Sequence, residues 1–478
     1  YRELYRAYSP KGRKSAAEPR IMFKLLVYGY MCGIYSTRKL EQACRKNIDF
    51  IWLLQGERVP DHTSFARFRS GKARQAIEDL FYQFVKRLAA EQEIEYEEVF
   101  IDGTKIESMA NRYTFVWRKS VDRQLTRVKE KARELFYRYG GKGKLTTGKL
   151  RSLAASLVPE GGEMVHGTGR RKPLWQQQYE EIDQLLERWK KYEAQLFEMG
   201  CRRNSLSKTD KDATFMRMKE DHMGNGQLKP AYNVQLAVNS EYITGVAAFP
   251  NCTDNGTLVP FLNHIQRMQG RSYRDIVADA GYESVGNYLY LQAHGQNCYI
   301  KPTNYEVRKT KKYRQQIWRM ENMEYLEQED CFVCAAGRKL RLHQICSKKE
   351  SGMVTTYLHY RCEGCTGCPL REQCTKSKNP DFCKEVKVCE EFAQCRAQAH
   401  RQLVTERGAL LRMNRSIQVE GAFGVLKSNR QFKRFLMRGR TNVSLELFLL
   451  CLAYDLKKYW SKLQHRLLKT HLFPLKKE

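Results

Sequence analysis

Two apolar, strand-like runs that carry aspartates constrain this chain most. Val99-Phe100-Ile101-Asp102-Gly103-Thr104 reads as a buried strand closing on a turn, and Asp275-Ile276-Val277-Ala278-Asp279 reads as a second strand. Further strand runs cover Ala213 to Met218, Ala231 to Val238 and Tyr242 to Phe249, the last two joined at Asn239-Ser240. A helix from Thr257 to Met268 precedes Asp279, and a helix from Ser284 to His294 and a strand from Asn297 to Lys301 follow it. A hairpin followed by alternating helix and strand predicts an α/β core with a mixed sheet.

Helical segments surround this core. Arg20 to Gln92 has helical periodicity, and Pro60-Asp61-His62-Thr63-Ser64 offers the cap and first turn of a helix carrying Phe65, Arg67, Phe68 and Arg69. Such a basic helical unit suits DNA binding, or a plain helical bundle with solvated arginines. Arg118 to Tyr139 and Trp175 to Met199 predict two long helices with a loose, Gly-rich and basic tip, together forming an arm. The second helix has an apolar stripe, Tyr179, Ile182, Leu186, Trp189 and Leu196, which suits packing on its neighbour or a dimer contact. More helices are expected from Glu390 to Val404, around Gln418 to Ser428 and from Ser444 to Lys462. The chain therefore divides into a helical unit at 1–96, a first core segment at 97–302 with the arm at 118–205, a cysteine-rich insertion at 303–400 and C-terminal helices at 401–478.

The charge balance narrows the partners. Among 478 residues, 84 Lys and Arg face 53 Asp and Glu, a formal net charge of +31. That excess points to polyanions, nucleic acid first, although anionic membranes attract the same charge. The apolar stretches Ile21 to Tyr35 and Leu445 to Leu456 are interrupted by Lys24 and Glu446 and fall short of the roughly 20 residues a spanning helix needs. Nothing near Tyr1 has a signal peptide's apolar core, so a cytoplasmic location is expected.

Ten of the 16 cysteines lie between Cys331 and Cys395, which suits a local metal site in a reducing compartment. Cys331-x2-Cys334 and Cys362-x2-Cys365-x2-Cys368-x5-Cys374 have spacings at which thiolates reach one tetrahedral Zn²⁺. An iron–sulfur cluster and free buried thiols are the alternatives.

Asp102, Asp279 and Glu420 carry the candidate chemistry. Singly, each has an ordinary explanation: a turn at Asp102-Gly103, a cap at Asp279, a solvent-facing side chain at Glu420. Together, carboxylates at neighbouring strand ends and one from an adjoining helix can hold two Mg²⁺ ions roughly 3.5–4 Å apart. Gly424 and Lys427 follow Glu420 at i+4 and i+7, on one face of a regular helix, where a missing side chain and a lysine would favour close approach of DNA. Asp210 and Asp212 are expected to cap or turn loops, and His62 to sit at a helix start rather than on a metal.

Three blocks, Val99-Phe100-Ile101-Asp102-Gly103-Thr104, Ala278-Asp279-Ala280-Gly281-Tyr282 and Val419-Glu420-Gly421-Ala422-Phe423-Gly424-Val425-Leu426-Lys427, resemble in content and order those of the DDE transposases of bacterial insertion sequences. The resemblance extends from Pro60 to Arg69 at one end to Arg434-Phe435 and Arg438-Gly439-Arg440 at the other. It implies an RNase H-like core preceded by a helical DNA-binding domain, with Asp102, Asp279 and Glu420 binding Mg²⁺ or Mn²⁺. Transposon ends and target DNA are the implied partners, and a homodimer the implied active complex. Arg67, Arg69, Arg415, Lys427, Arg434, Arg438 and Arg440 become the candidate DNA contacts. Cys334, Cys365, Cys368 and Cys374 best resemble the zinc-binding cysteines of one branch with such an insert. One departure stands out: the Tyr and Arg that many relatives carry seven and four residues before the Glu are Met413 and Ser416 here, with Arg415 the candidate substitute. The alternatives are a non-catalytic DNA-binding descendant of a transposase and an RNase H-like nuclease.

Overall fold

The computed structural model describes residues 4, 17–166, 172–201, 203–218, 224, 226–350 and 353–471. Most of the first 16 residues and the end of the 401–478 segment lie outside the described residues.

The N-terminal unit comprises α1 (Pro19–Met31), α2 (Thr37–Lys46), α3 (Ile48–Leu54), α4 (His62–Phe68) and α5 (Arg74–Ala90), the last two joined through a π-helical turn, Arg69–Ala73. The start of α4 follows from its sequence: the Asp61 carboxylate accepts the Ser64 N–H at 3.1 Å. His62 pairs with Glu41 at 3.1 Å and serves this helix start.

The core follows as β1 (Glu98–Glu107), β2 (Phe115–Trp117), α6 (Arg118–Arg138), α7 (Thr147–Ser156), α8 (Leu174–Met199), β3 (Ser205–Ser207), β4 (Thr214–Arg217), β5 (Leu228–Asn239), β6 (Tyr242–Phe249), α9 (Leu258–Gln269), β7 (Asp275–Ala278), α10 (Val285–Ala293) and β8 (Asn297–Ile300). β1 lies at the centre of the main sheet, antiparallel to β5 on one side and parallel to β7 on the other. β8 extends the sheet parallel to β7, while β6 and β4 both pair antiparallel with β5. The turn between β5 and β6 places Ser240 and Glu241 at φ 49° and 70°, the left-handed pair that a two-residue hairpin needs to match strand twist. This mixed α/β sheet is consistent with an RNase H-like core.

The sheet is apolar on both faces because both are covered. Val99 and Ile101 meet Phe261, Ile265 and Leu291 of α9 and α10, whereas Phe100 belongs to the opposite core. That second core also contains Leu25 of α1, Phe81 of α5 and Leu449 of α13 (Arg440–Gln464). The expected division at residue 96 therefore separates segments of sequence but not cores. α13 lies between α1, α5 and β6, so its apolar run packs on protein on several sides. Glu446, expected to interrupt that run, is buried in it, accepts the Leu436 N–H at 3.0 Å and is pushed up to about 7 by burial. Lys462 pairs with buried Glu93 at 3.0 Å, and Glu93 also accepts from Tyr242 Oη at 2.8 Å, so this buried carboxylate has the several partners it requires.

The arm is a helical hairpin whose stripe is used internally. Leu125, Val128 and Leu135 of α6 pack against Ile182, Leu186 and Trp189 of α8, so the stripe is taken up by its neighbour. The expected loose tip contains α7, whose Thr146 cap accepts the Lys149 N–H at 3.2 Å. The cysteine-rich insertion forms a second sheet, not evident in the sequence, from β9 (Glu324–Leu326), β10 (Cys331–Val333), β11 (Lys339–Glu350), β12 (Met353–Cys362) and β13 (Glu385–Val388), in the order β13-β12-β11-β10-β9. α11 (Glu390–Val404) and α12 (Glu406–Arg415) return the chain to the core. No helix among the described residues is long and apolar enough to cross a membrane.

Candidate active site

Asp102 does not end its strand. β1 continues through Glu107 on its β5 partner, so the expected turn at Asp102-Gly103 is absent. Only the parallel partner ends there: Ile101 pairs with Ala278, the last residue of β7, and Asp279 is next. Asp102 and Asp279 thus lie level with each other on adjacent parallel strands, Asp102 within β1 and Asp279 just past the end of β7. Gly103 is explained by close approach rather than by a turn. A Cβ there would lie 2.6 Å from Asp254 Oδ1 and closer still to Gln235 Nε2. Asp279 accepts the Gly281 N–H at 2.8 Å and caps the short helical turn Ala280–Tyr282, the capping role also considered from sequence.

The stretch carrying Glu420 is not the regular helix expected. Ser416–Glu420 and Val425–Asn429 are π-helical, separated by one α-turn, Gly421–Gly424. Val419, Ala422 and Leu426 bury themselves in the core that contains Phe100, which sets this stretch against the sheet face from which Asp102 projects. Glu420 itself stays outward, its side chain 61% exposed. Arg415 connects the two elements, with Nη1 3.3 Å from Asp102 Oδ2 and Nη2 3.8 Å from Glu420 Oε1. Lys427 Nζ lies 3.4 Å from Thr104 Oγ1, two residues beyond Asp102 on the same strand face. A Cβ at Gly424 would meet nothing within 4 Å, so open space surrounds that position.

A fourth carboxylate escaped the sequence reading. Asp254 accepts from Asn233 Nδ2 at 2.7 Å and Gln235 Nε2 at 2.9 Å, on the sheet face opposite Asp102 but directly beneath Gly103. Tyr282 donates to Gln235 Oε1, and its phenol is raised well above the ordinary value by burial first and then by Asp254, Asp102 and Asp279. The available signal was Asn233 and Gln235, two polar residues on one face within the otherwise largely apolar run Ala231 to Val238.

Among the candidate DNA-binding arginines, Arg67, Arg434, Arg438 and Arg440 are exposed. Arg434 donates to the carbonyls of Ser108 and Ala110 at 3.1 and 3.2 Å, and Arg438 to that of Met109 at 3.2 Å, so both also secure the segment after Glu420 to the end of β1. Arg69 is buried, donates to the Tyr35 carbonyl at 2.9 Å and faces Tyr30 and Glu446 in the core, a placement that favours a structural role. Asp210 and Asp212 organise loops as expected, accepting from Ser108 Oγ at 2.6 Å and from the Arg440 N–H at 2.8 Å.

In the insertion, Cys334, Cys362, Cys365, Cys368 and Cys374 line one cavity of about 30 Å³. Cys362 donates to the Gly364 carbonyl at 3.5 Å, and burial pushes its thiol up to about 12. Cys365 Sγ instead accepts the Lys384 N–H at 3.3 Å, the sense of hydrogen bond a thiolate ligand needs. Cys331, the first cysteine of the motif, is buried in β10 and does not line this cavity. The donor chemistry of both sites suits cations, hard oxygens for Mg²⁺ and thiols for Zn²⁺. Among the described residues, however, no three His, Cys, Asp or Glu side chains are grouped closely enough to hold a metal ion.

Residues 333–460 match the family described as "Transposase DDE domain", a span that includes the cysteine cluster, Arg415, Glu420 and Lys427. Residues 1–71 match "Transposase domain (DUF772)". No curated protein and no solved structure matches the chain. Segments toward both ends of the chain thus match transposase domains, and these matches support a DDE transposase.

Proposed function

We propose that the chain is a DNA transposase that binds the ends of a bacterial insertion sequence, hydrolyses a phosphodiester there and transfers the freed strand end to target DNA. One arrangement carries this reading: Asp102, within β1, is level with Asp279, just past the end of the adjacent parallel strand β7, and Arg415 contacts both Asp102 and Glu420. Asp102, Asp279 and Glu420 would hold Mg²⁺ or Mn²⁺, which when bound supplies an activated water and charge neutralisation at the phosphate. Hydrolysis leaves a 3′-hydroxyl on the element and a 5′-phosphate on its flank. The 3′-oxygen then bonds to a target phosphorus as the target's own 3′-oxygen departs, so no covalent protein intermediate is needed. Lys427, beside Thr104, neutralises a neighbouring phosphate, and exposed Arg67 and Arg440 anchor the duplex. The partners are end and target DNA, held by a homodimer in the bacterial cytoplasm at the nucleoid.

Purified protein, supplied with Mg²⁺ and DNA carrying the inverted repeats that flank its gene, should nick at the repeat boundary and leave a 3′-hydroxyl. Repeats bound no better than a scrambled duplex, and left uncut, would remove the reading.

Cys334, Cys365, Cys368 and Cys374 form the proposed structural zinc site, supported by their shared cavity and by the Lys384 N–H on Cys365. Metal analysis should find about one zinc per chain, and chelation should loosen the β9–β13 sheet, because the ligands hold its turns together only when bound. A brown, iron-containing preparation would decide for an iron–sulfur cluster.

A further inference from the structure

We infer that a cleft between the cysteine-rich insertion and the core binds the backbone of one unpaired DNA strand; which strand that is rests on the proposed function, whereas the binding itself does not. The cleft encloses about 890 Å³. Lys387 and Val388 of β13 line it from the insertion, and α11 and the core residues Asn255 and Ser284 line it as well. Asn255 follows Asp254, and Ser284 caps α10 shortly after the turn that Asp279 caps, so the cleft lies next to the segments that carry the candidate carboxylates. Four cations, Arg308, Lys387, Arg396 and Arg401, and one carboxylate, Glu321, belong to the described lining. Glu321 accepts from Tyr313 Oη at 3.1 Å, and Arg396 is committed to the fold through Glu283 and Asn304 Oδ1, each at 2.8 Å. The other three cations are exposed and form no ion pair among the described residues. Arg308 meets only His400, whose ring is lowered by burial and by Arg308 and Lys309, so a neutral imidazole faces the guanidinium without cancelling its charge. Three uncompensated cations around one cleft favour a partner that brings several negative charges in a row, as a phosphodiester backbone does.

Shape decides between one strand and two. Phe392, Arg396 and His400 recur every four residues along α11, with Ala393, Ala397 and Arg401 beside them, so a single face of the helix makes this wall. The two alanines keep the wall low between the cations, where a backbone must approach closely. Phe392 and Tyr357 add aromatic surface to the same lining. A cationic groove with aromatic platforms is the pattern that holds single-stranded nucleic acid, because only unpaired bases offer their faces for stacking. The enclosed volume is on the scale of a small-molecule site, so it takes a few nucleotides of one strand, whereas a duplex would lie across its mouth.

Fluorescence anisotropy of the full chain with a labelled single-stranded oligonucleotide, and with a blunt duplex of the same length, tests this. The triple variant Arg308→Gln, Lys387→Gln, Arg401→Gln should bind the single strand on the order of tenfold or more weakly, and its slope of log affinity against log salt should fall by about two, near 0.7 for each lost contact. Duplex affinity should change far less. A second triple variant, Lys142→Gln, Lys144→Gln, Arg151→Gln, removes the same charge from exposed positions on the arm and should hold the single strand as the parent does. Circular dichroism and thermal melts should show all three proteins equally folded. Unchanged single-strand binding by the cleft variant, an equal loss on the duplex, or an equal loss in the arm variant would overturn the proposal. No step of the assay requires cleavage: a parent that holds single strands through this cleft but neither recognises nor cuts the inverted repeats would remove the transposase reading and leave the cleft assignment standing.

Discussion

Replacing Asp102, Asp279 or Glu420 with Ala should reduce metal-dependent cleavage of end DNA by at least about 10³-fold, equivalent to ~4 kcal/mol or more of transition-state stabilisation, while end binding largely survives. The two readouts separate because the carboxylates act on charge that develops during reaction, whereas the basic surface acts on the bound duplex. The three variants differ in folding risk. Glu420 is mostly exposed, so its loss should leave stability almost unchanged. Asp102 is buried at the centre of the sheet and accepts the Gly103 N–H at 2.8 Å, so Asp102→Asn, which keeps the shape, is the control for misfolding. Thermal melts and gel-shift titrations on the same preparations check each requirement. Cleavage persisting in a folded variant would remove that residue from the site.

End-DNA affinity should fall by roughly 10³–10⁵ between 50 and 200 mM salt if about six to ten phosphates are neutralised, because each contact releases condensed counterions. A net charge of +31 makes a large sequence-independent contribution unavoidable. Exposed Arg67 and Arg440 are among the arginines proposed to contribute. Arg67→Ala or Arg440→Ala should lower the slope of log affinity against log salt by about one each. Arg69→Ala should leave the slope unchanged and instead destabilise the fold, since it would strip a buried core of the cation facing Glu446. Binding that stays flat across that salt range would remove the electrostatic argument.

Local pattern and local chemistry were legible in the sequence. The hairpin from β5 to β6, the helix at Glu390–Val404, the Asp61 cap and the two arm helices all depend on periodicity or on residues within a few positions of one another. Asp279 at the end of β7 was equally local, because an apolar run that stops at a cap residue declares its own boundary. The clustered cysteines also declared themselves, although the sheet that carries them did not: β11 and β12 are polar on much of their surface and lack the alternation that marks a half-buried strand.

What failed was whatever depended on distant partners. Asp102-Gly103 has the composition of a turn, yet it is strand, because β5 supplies hydrogen bonds past the point where β7 stops and Gln235 and Asp254 take the space a side chain would fill. Arg69 reads as a surface arginine until Tyr35 and Glu446 close over it. Asp254 lay in an ordinary Asn-, Asp- and Gly-rich loop until β5 placed Asn233 and Gln235 against it. The sequence by itself therefore determined the α/β class, most of the helices and the carboxylates worth testing, because helical and strand periodicity and capping are encoded over a few residues. Only the tertiary structure decided that the N-terminal helices share a core with the sheet, that Asp102 lies within its strand, and that a π-turn sets Arg415 between Asp102 and Glu420. Those outcomes depend on register and packing between segments hundreds of residues apart, which no local pattern records.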